Sequence, residues 1–97
     1  MRIFSYKALR EFSEVHPDAG GALRAWYELV EKARWKTPAE LKQQIRSASL
    51  VGDDLVIFNI CGNRYRLVVR FNFEKQRVFI RFVGTHEAYD KLHLKTL

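Results

Sequence analysis

The sequence predicts an α+β fold in which an N-terminal strand and two to three helices pack on one face of an antiparallel sheet, followed by a short C-terminal helix. Three observations carry that expectation. Apolar residues recur at intervals of three and four in the first half and at intervals of two from Leu55 onward. Turn-forming groups, Gly52-Asp53-Asp54, Gly62-Asn63 and Glu74-Lys75, fall where one run gives way to the next. After the last run, Gly84-Thr85 supplies a cap residue and helical spacing resumes.

Arg2 to Phe4 reads as the opening strand, with Ser5 as the N-cap of a first helix whose apolar positions are Tyr6, Leu9 and Phe12. Pro17 stops that helix, because proline lacks a backbone donor and clashes with the preceding turn. His16, between the helix end and the proline, reads as a helix-terminal residue with no chemical role. From about Gly21, Leu23, Trp26, Tyr27, Val30 and Ala33 form the apolar stripe of a second helix, which assigns Trp26 and Tyr27 to the core. Thr37-Pro38-Ala39-Glu40 has the form of a capping box with proline at the first helical position, so a third helix runs through Leu41 and Ile45. Leu55 to Ile60, Arg64 to Phe73 and Gln76 to Val83 then make a three-stranded antiparallel meander.

Parity fixes an expected register, since opposed residues of an antiparallel pair share a face. A turn at Glu74-Lys75 pairs Phe71 with Val78, Val69 with Ile80 and Leu67 with Phe82; a turn at Gly62-Asn63 pairs Ile60 with Tyr65, Phe58 with Leu67 and Val56 with Val69. One face is then wholly apolar and carries the helices. The other presents Leu55, Ile57, Asn59 and Cys61 on the first strand, Arg64, Arg66, Val68 and Arg70 on the second, and Arg77, Phe79, Arg81 and Val83 on the third. In this register Arg66 opposes Asn59 and Val83, and Arg66 and Arg81 are diagonal neighbours. Like charges set so close repel, which suits a phosphate-binding surface better than it suits stability, and Phe79 adds a ring on which bases can stack. A solvated sheet face that happens to use arginine is the alternative.

Composition narrows the function classes. The 97 residues suit one domain, 1–97, and 47% are hydrophobic, with seven Phe, four Tyr and two Trp, which excludes intrinsic disorder. Seventeen Lys and Arg against eleven Asp and Glu give a formal charge of +6 (17 − 11), and the pI of about 9.8 points to polyanionic partners. One cysteine, Cys61, excludes an internal disulfide framework and a cysteine-based zinc site, as expected of a cytoplasmic protein. The start, Met1 to Lys7, lacks the apolar stretch of a signal peptide, and no apolar run is long enough for a membrane span.

Beyond Thr85 a helical spacing puts His86, Tyr89, Asp90 and His93 on one face. Three readings stay open for them: a metal site from His86, Asp90 and His93; an acid/base group from His86 with Tyr89, in which Asp90 orients the imidazole or caps a neighbouring arginine; or an ordinary polar helix.

The strings Asn59-Ile60-Cys61-Gly62-Asn63-Arg64-Tyr65-Arg66-Leu67-Val68-Val69, Val78-Phe79-Ile80-Arg81-Phe82-Val83-Gly84-Thr85-His86 and Tyr89-Asp90-Lys91 resemble the HigB-type toxins of bacterial type II toxin–antitoxin modules, in the RelE/ParE superfamily. The helical half matches mainly in length and pattern. The resemblance implies a RelE-like, microbial-RNase-type fold. It also implies an mRNA interferase: a metal-independent endoribonuclease, without cofactor, that cleaves messenger RNA in the 30S A site of the translating ribosome until a cognate antitoxin binds. Carried over by motif, Arg66 is the strand arginine that stabilises the scissile phosphate, and His86 occupies a position held by His or Arg in relatives. Tyr89 follows His86 by three residues rather than immediately as in some relatives. The expected catalytic set is therefore Arg66, His86, Arg81 and Tyr89, with Asn59, Arg64, Arg70, Arg77, Phe79, Asp90 and Lys91 contacting RNA. The same fold also serves gyrase poisons, and a plain RNA-binding module is the third alternative.

Overall fold

The computed structural model describes residues 1–93. Strand β1 (Arg2–Phe4) enters helix α1 (Tyr6–Val15); a 3₁₀ turn at Pro17–Ala19 leads to α2 (Gly20–Lys32), and α3 (Pro38–Gln44) closes the helical half. Strands β2 (Ser49–Val51), β3 (Leu55–Ile60), β4 (Tyr65–Asn72) and β5 (Arg77–Thr85) follow, and then α4 (His86–Asp90). The sheet has five strands in the order β1-β5-β4-β3-β2. β1 runs parallel to β5 and every other pair is antiparallel, so the expected meander sits inside a mixed sheet. β2 escapes sequence reading because three residues are too few to display a two-residue period.

Local chemistry explains the helix boundaries. Ser5 precedes α1 as expected but does not cap it through its side chain. It adopts a left-handed conformation (φ 70°), and its carbonyl accepts the Ala8 N–H at 3.1 Å, a backbone turn that reverses the chain out of β1. Thr37 does cap α3: its hydroxyl accepts the Glu40 N–H at 3.2 Å, while the Glu40 carboxylate accepts the Lys36 N–H at 3.3 Å. α3 ends at Gln44, with Ile45 as its C-cap.

The helices cover one face of the sheet. Leu9, Leu23, Trp26, Val30 and Leu41 meet Val56, Phe58, Leu67, Val69, Phe71, Val78 and Ile80 in the main core. Tyr27 is only half-buried and packs against Tyr6, ring centroids 4.7 Å apart. The opposite face is not the open arginine surface that parity suggests. Leu55, Ile57 and Val68 form a second buried cluster there, covered by Phe82, Tyr89 and Leu92. Exposing those side chains to water would cost about 25 cal/mol per Å² of apolar surface, which is what holds α4 down.

The register explains how Phe82 joins that second cluster. β3 and β4 pair as expected, with Ile60 opposite Tyr65 and Phe58 opposite Leu67. β4 and β5 also agree at Phe71–Val78 and Val69–Ile80, but a bulge then intervenes and Val68 pairs with Phe82. Arg81 is the extra residue. The expected Leu67–Phe82 pair is replaced by Leu67–Val83, and Arg66 opposes Gly84 rather than Val83. Phe82 therefore joins the second cluster while Val83 packs on the main core. Adjacent Phe82 and Val83 are both apolar, so either can take the inner face, and a parity argument cannot detect one added residue.

Candidate active site

Three segments distant in sequence meet where β4 begins and β5 ends. His16 and Asp18 arrive from the end of α1 and the 3₁₀ turn, Asn63, Arg64 and Tyr65 from the β3–β4 turn, and Thr85, His86 and Glu87 from the start of α4. The cleft between them has a volume of about 510 Å³ and is lined by His16, Asn63, Arg64, Tyr65, Thr85, His86 and Glu87. Each wall has a local cause. Pro17 starts the 3₁₀ turn, in which Ala19 N–H donates to the His16 carbonyl at 2.9 Å. The β3–β4 turn reverses through left-handed Cys61 (φ 53°) and Gly62 (φ 66°), the second a conformation that glycine adopts without penalty. Thr85 caps α4 by accepting the Ala88 N–H at 3.1 Å, and the His86 N–H donates to the Arg64 carbonyl at 3.1 Å, tying the helix to the turn.

Tyr65 links the cleft to the core. Its ring packs edge-on against Phe12 at 5.2 Å, and its hydroxyl donates to the Asp18 carboxylate, with oxygens at 2.7 and 2.9 Å. Arg64 Nη1 also donates to Asp18, at 2.8 Å. The hydrogen bond from Tyr65, assisted by Arg64, holds the Asp18 carboxyl below its ordinary range, and the same bond raises the Tyr65 phenol. His16 Nδ1 lies 3.5 Å from the Tyr65 hydroxyl oxygen, and the imidazole stacks on Phe12 at 4.4 Å. His16 thus lines the cleft, although its position beside a proline offered no sign of a role. The contacts of His16 and Asp18 with Tyr65 span 49 and 47 residues of chain, so no local sequence signal could have found them.

On the sheet side, Arg66 stands between Asn59 and Gly84. Its Nη1 donates to the carbonyls of Asn63 at 3.1 Å and Tyr65 at 3.2 Å, which folds the guanidinium back toward the turn. His86 Nε2 is 3.1 Å from a Glu87 carboxylate oxygen and its Nδ1 is 3.5 Å from one of Asp90, so Asp90 does sit against the imidazole. Tyr89 packs over Leu55, Ile57 and Val68. Lys91 is exposed just beyond α4. The helix ends at Asp90, so His93 does not continue the face that His86 and Asp90 share. Among the described residues no three His, Cys, Asp or Glu side chains are grouped to hold a metal ion.

Of the other arginines, Arg70, Arg77 and Arg81 do not converge on this cleft, and Arg64 reaches it from the turn. Arg81 and Arg66 are not diagonal neighbours: Arg66 opposes Gly84, three residues or roughly 10 Å along β5 from Arg81. The Arg81 guanidinium instead lies 6.0 Å from the centre of the Phe79 ring, which stacks on Phe4 at 5.1 Å. Arg81, Phe79 and Arg70 line a second recess of about 380 Å³, in which Arg70 donates to Asp54 at 2.7 Å. Arg64 belongs to the turn and pairs with Asp18 on the helical side, not on the expected sheet face. Arg77 opposes Arg2 at the start of β5, eight residues or roughly 26 Å from Thr85, beyond reach of a phosphate in the cleft.

A small α+β protein with helices on one face of a mixed sheet, and with basic and imidazole side chains gathered where its central strands end, has the architecture of a RelE-like toxin. Residues 19–92 match the sequence model of the HigB_toxin family, the RelE-like toxic component of a toxin-antitoxin system, and the chain belongs to that family. Over 92 residues it is 34% identical to the mRNA interferase toxin HigB of Escherichia coli (strain K12), covering 93% of this chain and 88% of that protein. The mRNA interferase HigB of Shigella flexneri matches with the same identity and coverage. The mRNA interferase HigB of Escherichia coli O6:H1 is 24% identical over 94 residues, 95% of this chain and 91% of that protein. No helix among the described residues is long and apolar enough to cross a membrane.

Proposed function

We propose that the protein is an mRNA interferase, an endoribonuclease that cuts messenger RNA on the translating ribosome in the cytoplasm and is silenced by a cognate antitoxin. The observation that carries this reading is the cleft joining Arg64 and His86 where β4 begins and β5 ends, with Arg66 beside its turn. Metal-independent RNA cleavage needs three things: removal of the 2′-hydroxyl proton, stabilisation of a dianionic phosphorane and protonation of the departing 5′-oxygen. Arg66 and Arg64 supply donors for the phosphorane, and His86 supplies proton transfer. Asp90 orients the His86 ring, and Tyr89 positions α4 by packing on the second cluster. Asn59, beside Arg66, contacts the nucleotide. Arg70, Phe79 and Arg81 take flanking nucleotides in the second recess, and Arg77 and Lys91 contribute charge along the RNA path. The names of the similar proteins support the substrate class. The small acid–base inventory fits a substrate held in line by the 30S A site, since orientation alone supplies several kcal/mol.

The test is 5′-end mapping of a defined messenger RNA incubated with wild type and Arg66→Ala protein, with and without translating ribosomes. New ends inside the reading frame are expected only with ribosomes, and Arg66→Ala should lower the cleavage rate by roughly a hundredfold, the usual effect of removing one electrostatic stabiliser. Cleavage of naked RNA would remove the ribosome from the reading. Intact messenger RNA with folded wild type would remove the ribonuclease.

A further inference from the structure

We propose that His16 is the second proton-transfer residue of the cleft, the base that activates the 2′-hydroxyl while His86 serves as the acid for the 5′-oxygen. This rests on the ribonuclease reading above. In an in-line displacement the attacking and departing oxygens occupy opposite apices of the phosphorane, so a single imidazole cannot attend to both in one step. The cleft carries one imidazole from the helical side and one from the sheet end, His16 and His86.

The hydrogen bonds assign the roles. The Tyr65 hydroxyl gives its one hydrogen to Asp18, at 2.7 Å, so toward His16 its oxygen acts as acceptor. His16 Nδ1 is then the donor across 3.5 Å, and the basic lone pair of the neutral ring is on Nε2. The ring is held in place by Phe12 on one side and Tyr65 on another, centroids 4.4 and 5.2 Å away. His86 is the reverse case, with a carboxylate oxygen near each ring nitrogen, Glu87 at 3.1 Å and Asp90 at 3.5 Å, an arrangement suited to a donor. The charged and titratable groups around His16 are Asp18 from the 3₁₀ turn, Tyr65 from β4, and Arg64, His86 and Glu87 across the cleft.

The step balances without a co-reactant. The 2′-hydroxyl proton passes to His16 Nε2 as the 2′-oxygen bonds to phosphorus, the bond from phosphorus to the 5′-oxygen breaks, and His86 delivers a proton to that oxygen. The products are a 2′,3′-cyclic phosphate and a 5′-hydroxyl, and solvent restores both imidazoles.

The experiment measures single-turnover cleavage of an end-labelled messenger RNA on translating ribosomes as a function of pH. It compares wild type, His16→Gln, His16→Ala with and without added imidazole, and His86→Gln. His16→Gln should lower the rate by roughly a hundredfold and abolish the rise on the acidic side of the profile, and imidazole should recover about tenfold for His16→Ala, in keeping with the size of general base catalysis. His86→Gln should instead lose the fall on the alkaline side. A His16→Gln rate within about threefold of wild type overturns the proposal. So does a lower rate with both limbs kept and no imidazole rescue, because His16 then only packs. Wild type that leaves the messenger RNA whole overturns the underlying ribonuclease reading instead, which separates the two failures.

Discussion

Deleting Arg81 should leave the sheet intact, although removing a residue from the middle of a central strand ordinarily inverts everything beyond it. Arg81 is the extra residue of the β4–β5 bulge, between the Val69–Ile80 and Val68–Phe82 pairs. Without it, Ile80 is followed directly by Phe82 and the strand alternates regularly. Phe82 stays with the second cluster, Val83 stays on the main core, and Gly84 and Thr85 keep their partners Arg66 and Tyr65. The expected loss is under about 1.5 kcal/mol, the scale of a change that moves no buried side chain. Were the strand regular to begin with, the deletion would turn Phe82 and Val83 to the wrong faces. Full burial of such a side chain is worth about 1.5–3 kcal/mol, so turning out these two partly buried ones would cost roughly 2–3 kcal/mol, a large part of the about 5–15 kcal/mol that holds such a domain together. Urea unfolding separates the two cases. With m of about 2 kcal/mol/M, the middle of the usual range, the midpoint moves by less than roughly 0.75 M in the first and by roughly 1–1.5 M in the second. Arg81→Ala, which removes the guanidinium but keeps the bulge, is the control. A loss of more than about 2 kcal/mol for the deletion but not for Arg81→Ala would refute the register argument. Because bulges bend and twist the strand that carries them, the deletion should also re-aim Thr85 and His86 and reduce cleavage more than Arg81→Ala does.

Other expectations can be checked directly. A methyl group at Gly84 would lie 2.6 Å from Cζ of the Phe82 ring, so Gly84→Ala should destabilise the protein by about 1–3 kcal/mol in thermal or urea melts, and Phe82→Leu should recover part of the loss. Tyr65→Phe removes the bond that holds Asp18 below its ordinary value of 3.8. The native carboxyl has the lower pKa, so its contribution is fully present above 3.8 and lost as pH falls through the native value. The gap between wild-type and Tyr65→Phe urea midpoints should therefore close on acidification, and a gap independent of pH would contradict the assignment. Arg81→Ala should weaken RNA binding without selectivity for sequence and reduce the slope of log affinity against log salt by about 0.7, the effect of one lost phosphate contact on a single strand.

The protein relies on an acidic residue to organise a basic cleft. Asp18 is the acceptor for both Tyr65 and Arg64, and it offsets positive charge at a site that lines its walls with arginine and histidine. An antitoxin that placed a carboxylate at Arg64 would compete with Asp18 for the same donors, an inexpensive way to pull the cleft apart.

Much of the fold is written in local pattern. The order of the helices and of every strand but β2, the capping box at Thr37, the cap at Thr85 and the β3–β4 register all follow from residue spacing and turn chemistry, because each depends on neighbours within a few positions. Arg66 beside Asn59 and Asp90 beside His86 were also legible. Tertiary structure decided the rest. The bulge at Arg81 put Phe82 and Val83 on faces that parity could not assign, since a single unpaired residue leaves no trace in an apolar run. Through that switch Phe82 joined Leu55, Ile57 and Val68, and with Tyr89 and Leu92 it covers part of a face that parity reads as an open arginine surface. His16 and Asp18 entered the site only because Tyr65 reaches them across 49 and 47 residues, and a hydrogen bond over that distance exists only after the helices have docked on the sheet.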